Sequence, residues 1–178
     1  MNIKMNYLKL LTAFISGSCL WTSLPQALAD EFCAKCGQQV DLAGNFAHYR
    51  ADDSIAIAGA GDLAAAFREE VYGENFTITI AHLPAGKYTV KIGETEVWAT
   101  TAGQRVFNVA SGDTTLAKDF DIIAAAGGPR KVCYITGALE HEDDALKGPL
   151  VVSFRAKENN AKFNTFEIID AAGASVVS

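Results

Sequence analysis

The sequence predicts an all-β fold, a β-sandwich or jelly roll. Apolar residues recur at every second position over most of the chain, which is the period of a half-buried strand and not of a helix. Clusters of Gly, Pro, Asn and Asp interrupt these runs roughly every 8–12 residues, the spacing of sandwiches. Seven or eight short strands arise in this way, enough to form two layers closing over shared Phe, Val and Ile faces.

The elements follow in order. Asn75–Ala81 alternates Phe76, Ile78 and Ile80 with Thr77 and Thr79, and Pro84-Ala85-Gly86-Lys87 turns the chain. Tyr88, Val90 and Ile92 alternate with Thr89 and Lys91; Gly93 then marks a bulge or a close backbone approach, and Glu94–Trp98 continues the strand. After Ala102-Gly103 comes Arg105–Ala110, after Ser111-Gly112-Asp113 comes Thr114–Ile123, and after Gly127-Gly128-Pro129 comes Lys131–Leu139. Glu140–Lys147 reads as an acidic loop, and Leu150–Ala156 and Phe163–Asp170 are the last strands, with Glu158-Asn159-Asn160 between them. Leu63–Glu70 is open between helix and loop: it is rich in Ala and Glu, with Asp62 as a candidate N-cap.

Residues 1–29 read as a signal peptide. The first residues carry Lys4 and Lys9 and no acid, an apolar stretch runs from Leu8 to about Leu20, and Ala27-Leu28-Ala29 fits the small-x-small cleavage rule. The run is shorter than the roughly 20 residues that span a bilayer. Residues 30–178 are then expected as a single exported domain of 149 residues, its core about 35–170. Without Lys4 and Lys9 that domain has 13 basic and 21 acidic residues, a net charge of −8. Such a balance excludes nucleic acid, which demands clustered Lys and Arg, and disfavours anionic membranes. Export places Cys33, Cys36 and Cys133 in an oxidising compartment. The lone Cys33-Ala34-Lys35-Cys36 lacks further ligands at zinc spacing, so a structural disulfide is expected, Cys36–Cys133 ahead of Cys33–Cys36.

From Tyr72 onward the order of features resembles the malectin domain, a carbohydrate-binding β-sandwich of the galactose-binding-like type. The resemblance runs through Tyr72-Gly73, Asn75-Phe76, Gly86-Lys87-Tyr88-Thr89-Val90, Glu96-Val97-Trp98 and Gly103-Gln104-Arg105-Val106-Phe107-Asn108-Val109. It continues at Lys118-Asp119-Phe120-Asp121-Ile122 and from Asn159 to Ile168; Cys36-Gly37, Asp41–Asn45 and Tyr49–Asp52 resemble the opening strand and first loop. The resemblance implies a sugar pocket with Tyr72 and Trp98 as aromatic residues and Asn159 at its acidic position. The chain departs from the pattern at three places: Ala99 replaces the second ring of an aromatic pair, Asn159 carries no charge, and no aromatic lies within Ile55–Gly61.

The chemistry of these side chains suits a neutral glycan. Sugar C–H faces stack on Trp and Tyr, and sugar hydroxyls pair with Asn, Asp or Glu. Tyr72, Trp98 and Asn159 are the candidate ligand-binding residues, with Tyr49 as a further ring. Each has a plainer role open to it: strand-end packing for Trp98 and Tyr72, turn geometry for Asn159. Asp119 and Asp121 flank Phe120 on one strand face as a conceivable cation pair; Glu94 and Glu96 also share a face, either as a pair or simply solvated. No G-x-S-x-G or H-E-x-x-H is present, so no catalytic residue, metal or cofactor is assigned. The expected function is an exported carbohydrate-binding module and not an enzyme. The alternative is an extracytoplasmic protein-interaction or envelope-structural domain that has lost its sugar pocket.

Overall fold

The alternating run Asn75–Ala81 forms the C-terminal half of the longest strand among the described residues. The computed structural model describes residues 38–142 and 148–178. Strand β1 (Gln39–Arg50) pairs antiparallel with β2 (Glu69–Ala81) along its whole length. Then follow β3 (Gly86–Glu94), β4 (Val106–Ser111), β5 (Thr114–Phe120), β6 (Cys133–His141), β7 (Leu150–Glu158), β8 (Ala161–Phe163), β9 (Thr165–Asp170) and β10 (Ser175–Val177). They form two antiparallel sheets, one ordered β1-β2-β7-β4-β5 with β8 also on β2, the other ordered β10-β9-β3-β6. Phe76, Ile78 and Ile80 of β2, Val90 and Ile92 of β3, Phe107 and Val109 of β4, and Val152 and Phe154 of β7 fill the space between them, all buried. The all-β sandwich expected from the sequence is therefore present. Among the described residues no helix is long and apolar enough to cross a membrane.

Several local expectations are corrected. Leu63–Glu70 is not an α-helix. It holds two 3-10 turns, Gly61–Leu63 and Ala66–Arg68, with no side-chain cap, and Glu69 already begins β2. Pairing of Glu69–Tyr72 with β1, together with full burial of Phe67, outweighs the weak helix propensity of a short segment. Thr114–Ile123 is a strand only to Phe120. Asp121 then accepts a hydrogen bond from the Ala124 N–H and caps a helix, α1 (Ile122–Ala126), which Gly127 closes at φ 70. Glu94–Trp98 does not continue β3, because the Glu96 side chain turns back onto the backbone, as described below. Strands β1 and β10 extend the sheets beyond the runs picked out by alternation alone.

Two glycines decide geometry near the site. At Gly93 the register of β3 is unbroken on both sides, so there is no bulge there. A Cβ would collide with Thr165 Oγ1 and come within 2.8 Å of Phe67, so the residue marks a close approach. The bulge lies instead in β2, where Asn45 faces Asn75 but Ala47 faces Tyr72. At Gly73 a Cβ would collide with the Asn45 carbonyl oxygen. One extra residue reverses side-chain parity. Val71 thereby joins the core of Phe76, Ile78 and Ile80, and Tyr72 turns to the opposite face with Glu70.

Candidate functional site

The site is built on a layer of buried charge. Glu70, Glu94, Glu96, Arg105 and Lys162 are all buried, Lys162 and Glu94 completely. Lys162 of β8 lies opposite Tyr72 in the ladder. Its ammonium pairs with Glu70 Oε2 at 2.6 Å and donates to the Thr95 carbonyl at 2.5 Å. Arg105 Nε donates to Glu96 Oε2 at 2.7 Å. The other oxygen of Glu96 accepts from the N–H groups of Trp98 (2.8 Å) and Ala99 (2.9 Å). That bidentate use of one carboxylate bends the chain out of β3 and fixes the loop carrying Trp98. Asn164 seals the layer: Oδ1 accepts from the Thr95 N–H, and Nδ2 donates to the carbonyls of Phe67 and Glu69.

Three carboxyl groups here face two cations. Both oxygens of Glu94 are buried without a hydrogen-bond partner among the described residues. Burial pushes its carboxyl well above the usual range; Lys162 opposes that shift, and Glu70 reinforces it. With Glu94 neutral, Glu70 and Glu96 balance Lys162 and Arg105. The Cys133 thiol faces Glu94 across the β3–β6 ladder and is pushed up to about 12, by burial first and by Glu94 second. It forms no disulfide among the described residues. Cys33, Cys36 and the expected leader 1–29 lie outside the described residues.

The four sequence-predicted residues sit around this layer. Trp98 is 61% exposed. The guanidinium of Arg105 lies 6.0 Å from its ring centroid, at the outer limit of a cation–π contact. Arg105 also donates to the Asn160 carbonyl at 3.2 Å, and Asn160 Nδ2 donates to Asn159 Oδ1 at 3.1 Å. Arg105 thus ties the Trp98 loop to the β7–β8 turn, where exposed Asn159 takes a left-handed φ of 63. Tyr72 is half-buried beside Lys162, whose strand begins just after that turn. Tyr49 is 48% exposed and lies opposite Glu70, on the face of β1 and β2 that also carries Tyr72. Trp98 and Asn159 are therefore linked through Arg105, Tyr72 stands opposite Lys162 of the second ion pair, and Tyr49 lies further along the strands.

Other candidates resolve differently. Ala99 is 3% exposed, so its position is turned inward and leaves no place for a ring in solvent. Asp119 and Asp121 do not act as a pair: Asp119 ion-pairs with Lys157 at 2.8 Å, and Asp121 accepts from the N–H groups of Gly103 and Ala124. Glu94 and Glu96 are a buried pair and not a solvated face. Among the described residues no three His, Cys, Asp or Glu side chains gather as a metal cage. Sequence reasoning missed Arg105, Lys162 and Glu70. Lys162, set between Ala161 and Phe163, was the available signal, because a lone cation in an apolar run must find a buried partner.

Comparison with known proteins agrees with this architecture. A family model described as Malectin domain matches residues 34–170. No curated protein matches the chain by sequence. Among solved structures, the ANXUR2 extracellular domain from Arabidopsis thaliana superposes with a TM-score of 0.62 at 16% identity, over 78% of this chain and 41% of that one. The complex of plant peptide RALF23 with FER and LLG2 gives 0.59 at 17% identity, over 71% and 39%. Bacteroides uniformis beta-glucuronidase 2 gives 0.59 at 10% identity, over 74% of this chain and 14% of the enzyme. This chain spans about two-fifths of the length of the matched plant chains, and at these identities the likeness concerns the fold.

Proposed function

The chain belongs to the malectin domain family, and we propose that it acts as an exported binding module for a neutral glycan. In this reading Trp98 and Tyr72 stack against the C–H faces of sugar rings, and Asn159 pairs with a hydroxyl. The observation that carries it is Trp98: a large ring 61% exposed, on a backbone whose N–H is held by the Glu96 carboxylate. Exposing an indole forgoes burial on the order of 2 kcal/mol. An exposed ring carried on an anchored backbone leaves only its own side-chain torsions to be ordered by a partner, which lowers the ordering cost of binding.

Tryptophan fluorescence tests the proposal directly. Trp98 and Trp21 are the two indoles of the chain, and Trp21 lies in the expected leader. Titration with maltose, nigerose and laminaribiose, guided by a glycan array, should shift the emission with saturation. An array that stays blank together with unchanged emission removes the glycan reading.

One observation favours a second reading, a protein or peptide partner. Ala99 is buried and supplies no ring to close a clamp over a sugar. Under this alternative the same Trp98 face holds an apolar side chain of a polypeptide, and sugars leave the fluorescence unchanged.

A further inference from the structure

The strand registers fix where Cys133 stands relative to the start of β1. Gln39 pairs with Ala81, and only residues 82–85 separate Ala81 from Gly86, so Gln39 and Gly86 lie at one end of the sandwich. At the opposite end Asn164 bonds both the Glu69 and the Gly93 carbonyls, and Cys133 faces Glu94. The length of β3 separates the two ends, about 26 Å at a rise of roughly 3.3 Å per residue.

That separation decides which thiols can meet. A disulfide needs its two Cα atoms within about 7 Å of each other. Cys36 stands three positions before Gln39, a length of chain that reaches about 11 Å when fully extended. The two together span about 18 Å. An inclination of about 30° between the sheets shortens the axial separation only to about 22 Å. Cys36 therefore falls short of Cys133, and Cys33 would reach it only with nearly all of the intervening chain drawn out straight. The direction of the sulfur points the same way. Cys133 shares its strand face with buried Ile135 and Leu139 and packs against the core, and its Sγ donates to the Ile122 carbonyl of α1 at 3.8 Å. The thiol is thus turned between the sheets and not towards a chain arriving from outside. Held protonated by burial and by Glu94, with its titration pushed up to about 12, it offers little thiolate for exchange.

We infer that Cys133 stays an unpaired thiol in the exported chain and that the disulfide of the chain joins Cys33 to Cys36, the reverse of the order expected from the sequence. The remaining cysteine, Cys19, belongs to the expected leader. The oxidant is a protein disulfide of the exporting compartment. One thiolate of the Cys33–Cys36 pair attacks it, and a mixed disulfide forms. The second thiolate displaces the carrier's sulfur, so the Cys33–Cys36 bond forms while the carrier leaves as a dithiol with two electrons and two protons. So short a loop removes little freedom from the unfolded chain, whereas a bridge from Cys36 to Cys133 would close about a hundred residues.

Thiol mapping tests the inference. The chain is recovered from a bacterial periplasm after export through its own leader and alkylated with N-ethylmaleimide in guanidinium chloride without reductant. Peptide mass spectrometry should find Cys133 alkylated and Cys33 and Cys36 unlabelled, the latter two taking one label each only after reduction. Reduction should move the melting temperature by no more than about 2 °C, against a fall of more than about 10 °C for the long bridge. A peptide carrying Cys133 cross-linked to Cys33 or Cys36, or a fall of the larger size, overturns the assignment. All three cysteines alkylated before reduction overturns the Cys33–Cys36 bridge.

Discussion

Arg105 and Glu96 form an ion pair whose side chains are only 6% and 1% exposed, with Nε 2.7 Å from Oε2. The pair is useful less for its own strength than for what it holds. Glu96 fixes the Trp98 backbone, and Arg105 reaches both the Trp98 ring and the Asn160 carbonyl. Two segments far apart in the chain are thereby set at a constant separation.

Removing Arg105 leaves Glu96 buried and uncompensated. Arg105→Met should therefore cost about 3–5 kcal/mol in urea unfolding. Arg105→Lys restores the charge but not the forked reach to Glu96 and Asn160, and should recover only part of the loss. Two variants as stable as the parent would show that the pair does not hold the Trp98 loop and the β7–β8 turn together.

Trp98→Ala separates binding from folding. An exposed side chain removed from the surface should change stability by no more than about 0.5 kcal/mol. Loss of one stacked ring, worth about 1 kcal/mol beyond its buried area, should weaken glycan binding about fivefold. Calorimetry with laminaribiose and a thermal melt on the same sample give both values. A large drop in melting temperature would identify the ring as a packing residue.

Glu94 makes stability depend on pH in a defined direction. Its folded-state carboxyl titrates well above the ordinary value of 4.5 because it is buried. Between those two values the native chain keeps a proton that the unfolded chain has lost. Stability contributed by this group is complete below pH 4.5, falls as pH climbs towards the raised value, and levels off above it. Glu94→Gln should flatten that decline and exceed the parent at the alkaline end in urea midpoints. A parent curve rising with pH over this interval, attributable to the same residue, would place an ionised carboxylate in the fold.

Gly73→Ala tests the bulge. The added Cβ meets the Asn45 carbonyl oxygen at sub-contact distance, so β1 and β2 must separate locally. The expected loss exceeds about 1 kcal/mol, with Tyr72 displaced from its place beside Lys162. A fluorescence titration showing unaltered sugar affinity in a destabilised variant would detach Tyr72 from the site.

Strand alternation made Phe76, Ile78, Ile80, Val90 and Ile92 readable as core, because a period of two depends only on the local chain. The ends of elements were harder to read. Glu94–Trp98 looked like more strand until the Glu96 side chain competed for the backbone, and Thr114–Ile123 hid the Asp121 cap. Leu63–Glu70 carried helical composition, but its end, Glu69-Glu70, was claimed by pairing with β1. In the first two cases a side chain captured backbone N–H groups two or three residues on, and in the third a strand distant in sequence settled the outcome.

The linear order of residues determined the layered all-β architecture and nominated Tyr72, Trp98, Asn159 and Tyr49 by type. Only the folded chain decided that Glu70, Glu96, Arg105 and Lys162 lie beneath them, and that a one-residue bulge sets the direction of Tyr72. The reason is physical: periodicity is written in neighbours along the chain, whereas charge can be buried only where segments far apart in sequence meet and neutralise one another.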